Sequence, residues 1–328
     1  MPRRTRSSTT SPSCQRSWRP GSTCAPHIFP SLTAAALVDR EDRGGEDVTE
    51  YAHPETLVET NWLAEHAKDP NVRVFEVDVD TTSYDQGHAA GAIGVNWKSD
   101  LQQQPVRDLL DKKQLEEFLS KNGVTKDTTV VVYGDNNNWF AAWFFWLLKY
   151  YGHKDVRLVN GGRAKWVAEG RPLVTERPSF QPSEYRAHSP DASVRALRDY
   201  VLEKVTRNGT KIIDVRSPKE YAGELLAPEN LPQEGAQRGG HIPGAQNVPW
   251  ATAVAEDGRF KSADELKTIY EGRGLARGTE TIAYCRIGER SAHTWFVLRY
   301  LLGHDRVRNY DGSWTEWGSL IGVPIEKS

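Results

Sequence analysis

The chain has 328 residues, 42 basic and 44 acidic, for a net charge of -2 at pH 7. That length accommodates about two domains at roughly 150 residues each, and the near-zero balance excludes a global positive field for nucleic acid or an anionic membrane. With 38% hydrophobic and 10% aromatic residues it is too apolar to stay unfolded, and Cys14, Cys24 and Cys285 form neither a disulfide framework nor a zinc-ligand spacing, which points to a reducing, cytoplasmic setting.

Residues 1–38 carry Arg3, Arg4, Arg6, Arg16 and Arg19, no acidic side chain, and prolines that interrupt any hydrophobic period. This predicts a disordered tail over 1–50. The same Arg- and Ser-rich start also fits a transit peptide, Arg3-Arg4 a twin-arginine signal, or the whole segment a start placed too early. Cys14, Cys24 and His27 lack a fourth ligand and a rigid frame, so no metal is expected there.

Short β-branched runs at 72–77, 129–133 and 156–158 read as strands, with helices at 112–122 and 140–151. The apolar stretch 139–148 spans ten residues, half of the ~20 that a bilayer requires. It reads as a buried helix, with Trp139, Trp143 and Trp146 as core. Residues 172–190, rich in Pro, Ser and charge, suit a surface strap. The organisation is thus a first domain over 51–180, a linker over 181–195 and a second domain over 196–328. In the second, strands fall at 211–215, 246–248, 281–284 and 307–309, and helices at 262–271 and 291–302, the last closed by Gly303.

The chain repeats itself once. Residues 133–166 superimpose on 284–317 at a constant offset of 151 (284 less 133), pairing Tyr133 with Tyr284, Gly152-His153 with Gly303-His304, and Trp166 with Trp317. Upstream, 87–92 match 240–245 around His88 and His241, and the second copy carries an insertion within 221–239. Alternating strands and helices in each copy predict an α/β fold: two tandem domains, each a small parallel sheet flanked by helices on both faces.

Ligands of such sheets bind beyond the carboxyl ends of the strands, and the copies differ most at one such loop. The second has Cys285-Arg286-Ile287-Gly288-Glu289-Arg290-Ser291; the first has Gly134-Asp135-Asn136-Asn137-Asn138-Trp139-Phe140, with neither nucleophile nor cation. Loop amides, a helix N-terminus and two arginines are each expected to favour the Cys285 thiolate over the thiol.

This loop, the run Arg238-Gly239-Gly240-His241-Ile242-Pro243-Gly244-Ala245 before it, the run 309–317 after it and the duplication together resemble the rhodanese family. The likeness covers about residues 55–326 and is to the tandem-domain thiosulfate sulfurtransferases. It implies that Cys285 attacks the outer sulfur of thiosulfate, sulfite leaves, and the persulfide passes its sulfur to cyanide or a thiol, in ping-pong order. Arg290, then Arg286, would bind substrate. The family uses a further arginine near the start of the second domain, for which Arg195 is the candidate. Backbone groups at Ile287, Gly288, Glu289 and Ser291 would stabilise the persulfide. No metal or organic cofactor is implied, nor nucleic acid or membrane; a protein sulfur acceptor fits the scheme.

Three alternatives stand beside this reading. Mercaptopyruvate sulfurtransferases resemble the chain but carry a smaller, less charged loop. Rhodanese-like phosphatases or arsenate reductases have Cys-x5-Arg where this chain has Cys-x4-Arg. A sulfur-relay protein would hold the persulfide for a partner. Of the nearby residues, His88 and His241 read as turn-stabilising because both copies have them, and His293 points along its helix. Asp311 and Trp314 are either pocket wall or a shared structural turn.

Overall fold

The computed structural model describes residues 50–205, 209–228 and 235–328. The expected tail, except Glu50, and part of the insertion lie outside the described residues, as do Cys14, Cys24 and His27.

Two parallel sheets form the frame. The first contains β1 (Leu57–Val58), β2 (Val72–Asp78), β3 (Ala92–Asn96), β4 (Thr129–Tyr133) and β5 (Val156–Val159), in the order β1-β5-β4-β2-β3. The second contains β6 (Thr210–Asp214), β7 (Gln246–Asn247), β8 (Glu280–Tyr284) and β9 (Val307–Tyr310), in the order β7-β6-β8-β9. Read from the other edge, the second order repeats β5-β4-β2-β3 of the first. The counterpart of β1 shrinks to a single parallel bridge, Arg195 on Asn309, 151 residues beyond Leu158 in the Leu57–Leu158 pair. Every pair of named strands is parallel, so helices cover both faces.

Five helices position the site: α1 (Asp135–Tyr150), α2 (Gly162–Ala168), α3 (Pro218–Ala222), α4 (Glu289–Phe296) and α5 (Ser313–Trp317). Helix α1 is buried nearly all round from Phe140 to Leu148, the pattern of a helix enclosed by protein on every side. One flank lies on its own sheet; the other packs against α4 of the second domain. There Phe145 meets Phe296 edge-on at 4.9 Å and Tyr300 at 5.1 Å, and Trp146 donates its indole N–H to the Val194 carbonyl at 3.0 Å. The apolar run 139–148 is therefore an interdomain core element. Among the described residues no helix is long and apolar enough to cross a membrane.

Strands β1 and β3 were not expected from the sequence. Two residues are too few to show an alternation, and in β3 the apolar sequence pattern is broken by Gly94, where a Cβ would lie 2.6 Å from the Tyr84 ring. The helix expected from 291 begins at Glu289 and passes at Phe296 into a wider π-helical turn, Val297–Leu301. Residues 172–190 hold no helix and only one isolated bridge, at Val174. This strap is tied to the first domain by pairs such as Ser183 N–H to the Ser120 carbonyl, 2.9 Å.

Candidate active site

Cys285 is the first residue beyond β8, at the carboxyl end of a central strand. The residues between it and α4 fold back under the start of α5. The Trp314 N–H donates to the Cys285 carbonyl at 3.1 Å and Thr315 N–H to the Arg286 carbonyl at 2.9 Å, while the Cys285 N–H donates to Ser313 Oγ at 3.0 Å. Gly288 takes a φ of 100°, and a Cβ there would stand 2.7 Å from Asp311 Cα, so the turn demands glycine.

The sulfur is fully buried. It accepts the Gly288 N–H at 3.2 Å and itself donates to Glu289 Oε2 at 3.1 Å. Ser291 Oγ lies 3.6 Å away, but its single proton has a shorter acceptor, Asn309 Oδ1 at 2.6 Å. Asn309 is held in that orientation by donating its amide to the Gly288 carbonyl at 3.1 Å. Of the loop residues expected to stabilise the sulfur, Gly288 supplies its amide and Glu289 its carboxylate. Ile287 turns its carbonyl to Arg107 of the first domain, 3.3 Å away.

Both expected arginines are buried and engaged. Arg290 clasps Glu220 of α3 with two 3.0 Å hydrogen bonds, and its Nε lies 3.5 Å from Glu289 Oε1. Arg286 lies 3.6 Å from the same Glu289 oxygen. Two guanidinium and two carboxylate groups thus balance around the sulfur. The expectation of a lowered thiol pKa is corrected accordingly. Burial, then the Glu289 charge, push the Cys285 thiol above its ordinary value against the pull of Arg290. Burial also pushes Glu220 upward, but the Arg290 clasp outweighs it and holds that carboxyl at about 2.

Arg195 sits apart from this cluster. It pairs with Asp311 at 2.9 Å and Asp108 at 2.7 Å, in an interdomain cleft of about 450 Å³ that Arg107 and Glu316 also line. Sequence reading missed Glu220, the Glu289 carboxylate, Arg107 and Asn309. Only Glu220 had a local signal, the capping box Ser217-x-x-Glu220.

In the first copy Gly134 stands where Cys285 does. Asp78, Asp80 and Asp135 line the hollow at that strand end, and burial together with the Asp135 charge raises Asp78 to about 9. Among the described residues no basic side chain lines that hollow to draw in an anion. Its loop instead sends Trp139 across the interface, 5.6 Å from the Arg290 guanidinium and edge-on to Trp250.

The paired histidines are turn elements. His88 stacks on Tyr84 at 3.8 Å and His241 on Tyr221 at 3.7 Å, each bonding the carbonyl of that tyrosine. Different arginines hold the turn in each copy: Arg163 bonds the Gly87 carbonyl and Glu76, Arg216 the Gly240 carbonyl and Asp214. His293 is buried against Trp250 and Phe260, and burial lowers it to about 3, so it is neutral at physiological pH. Trp314 lies over Arg216 at 4.6 Å as core, while Asp311 backs Gly288.

The family profile of the rhodanese-like domain matches residues 59–169 and 197–320. The sulfur carrier protein TtuD of Thermus thermophilus is 56% identical over 280 residues, covering 84% of this chain and 98% of that protein. A protein of Saccharopolyspora erythraea, provisionally named a thiosulfate sulfurtransferase, is 55% identical over 272 residues, covering 83% and 96%. Among solved structures, SseA from Escherichia coli, described as a 3-mercaptopyruvate sulfotransferase, is 27% identical with a TM-score of 0.66, covering 79% of this chain and 98% of that one. EanB bound to ergothioneine, 24% identical with a TM-score of 0.75 over 85% and 71%, shares the fold. With both halves matched and relatives above one-half identity along nearly their full length, the chain belongs to the rhodanese-like family of sulfurtransferases and sulfur carriers, with two such domains in tandem.

Proposed function

We propose that the chain is a thiosulfate:cyanide-type sulfurtransferase that carries the transferred sulfur as a persulfide on Cys285. In the first half-reaction the Cys285 sulfur bonds to the outer sulfur of thiosulfate, and the bond to the sulfonate sulfur breaks with its electron pair on departing sulfite. In the second, cyanide or a thiol attacks the terminal sulfur and Cys285 recovers its electrons. Arg290 and Arg286 bind the donor's sulfonate oxygens, the Gly288 amide steadies the persulfide, and Arg195 shapes the outer cleft from which an acceptor approaches.

The single observation that carries this reading is the sulfur's setting: Cys285 at the end of a central parallel strand, receiving the Gly288 amide at 3.2 Å and flanked by two buried arginines. Two guanidinium groups suit an inorganic dianion better than a keto acid. A second reading, a sulfur carrier that hands its persulfide to a protein, draws support from the 56% identity to TtuD. Intact mass after thiosulfate treatment tests the core of both: a gain of about 32 Da, one sulfur atom, that cyanide removes and that Cys285→Ser lacks. Steady-state turnover with thiosulfate, mercaptopyruvate and candidate acceptors then separates them.

A further inference from the structure

We propose that Glu289 is a catalytic residue: its carboxylate takes the Cys285 proton as the sulfur attacks the donor, keeps it while the persulfide exists, and returns it when the sulfur is handed on. The inference rests on the function proposed above for Cys285. Its ground is contact. The thiol donates to Glu289 Oε2 at 3.1 Å, and both groups are fully buried, so a proton leaving the sulfur meets this carboxylate before it meets water. The second oxygen faces the charges of Arg290 Nε at 3.5 Å and Arg286 at 3.6 Å, with no hydrogen bond of its own.

The step balances. As the bond from Sγ to the outer sulfur forms, the bond from that sulfur to the sulfonate breaks, sulfite leaves with the electron pair, and the proton moves from Sγ to Oε2. When cyanide attacks the terminal sulfur, thiocyanate leaves, the electron pair returns to Sγ, and the proton comes back from Oε2. Thiosulfate and cyanide become sulfite and thiocyanate with no proton gained or lost, so one internal acceptor closes the cycle. The transfer also neutralises the one anion that touches the sulfur, leaving Arg286 and Arg290 to face the incoming dianion.

The other charged or titratable groups around the pair leave this role to Glu289. Glu220 of α3 is consumed by Arg290, and Asp311, behind Gly288, by Arg195. Arg107 reaches the loop from the first domain through the Ile287 carbonyl. His293, one turn further along α4, is buried against aromatic rings with neither ring nitrogen hydrogen-bonded.

The test is the rate of persulfide formation by the full chain, followed by rapid-quench intact mass across pH. Wild type is expected to react at a nearly constant rate between about pH 6 and 9, because the proton passes directly from Sγ to Oε2 across their 3.1 Å contact and the thiol need not first lose it to solvent. Glu289→Gln should be slower at neutral pH by on the order of 100-fold and gain rate as pH rises, and Glu289→Asp should regain part of the loss. A wild-type rate climbing about tenfold per pH unit over that range, as attack by pre-ionised thiolate requires, overturns the proposal even if the glutamine variant does not fold. So does a folded Glu289→Gln as fast as wild type. Failure of the underlying reading is marked differently, by Cys285→Ser still gaining sulfur.

Discussion

Glu220 and Arg290 meet through two parallel hydrogen bonds of 3.0 Å, a bidentate pair buried beside the sulfur of the second domain. Glu220 is also the third residue of α3 and closes its capping box, where its side chain accepts the Ser217 N–H at 3.0 Å. One carboxylate therefore fixes both a helix start and the plane of the guanidinium next to Cys285.

Replacing Glu220 by Gln takes the bidentate carboxylate from buried Arg290 and leaves it only the 3.5 Å approach to Glu289, a loss on the order of 3 kcal/mol at neutral pH. The sign of the pH dependence follows from the depressed carboxyl, about 2 in the fold against 4.5 in its ordinary state. The wild-type advantage is whole above 4.5 and is lost as pH falls toward 2. Urea denaturation of both proteins from neutrality down into that window should show the two stabilities converging; a gap that persists unchanged contradicts the pair's assignment.

Arg290→Lys keeps the charge but not the two-pronged geometry. The expected outcome is a thiosulfate KM raised by about tenfold, the worth of one lost charged hydrogen bond, with kcat less affected. Steady-state kinetics with thiosulfate as the varied substrate measures it.

Phe145 is fully buried between the domains and touches Trp295, Phe296 and Tyr300. Truncation to Ala should cost about 3–5 kcal/mol and loosen the coupling between halves. Differential scanning calorimetry should show a lower transition that broadens or divides; a single transition at the wild-type temperature contradicts this packing.

Burial, then the Glu289 charge, push the Cys285 thiol upward and so favour its protonated form at rest. The ultraviolet difference between wild type and Cys285→Ser should show no thiolate at neutral pH and show it only in alkaline solution. Because the neutral form suits the folded site, its contribution to stability is whole below the ordinary value and lost as pH rises past the elevated one. A thiolate band at neutrality contradicts the charge balance around the sulfur.

The duplication was legible because it is written in residues with the same task in both copies. The hydroxyls of Tyr133 and Tyr284 each accept a turn amide, Ala89 and Ile242, at 3.1 Å. The cysteine's place at a strand end was legible for the same reason, since strand, loop and helix follow one another along the chain. The charge balance was not. Glu220 lies 70 residues before Arg290, and no spacing rule links them. Glu289 stood in plain view, but adjacency does not reveal whether a helix-start glutamate turns outward to solvent or inward to the thiol. The short strands escaped because pairing with longer neighbours, not their own alternation, makes them strands.

Helix α1 lends its far flank to α4, and the first turn of α4 carries every side chain that bears on the sulfur from that side. The copy without a cysteine is therefore the mould in which the working one is cast. Pared away, it would uncover an oily face that water does not tolerate and leave the active turn resting on nothing, so amputation forfeits shape before it forfeits chemistry.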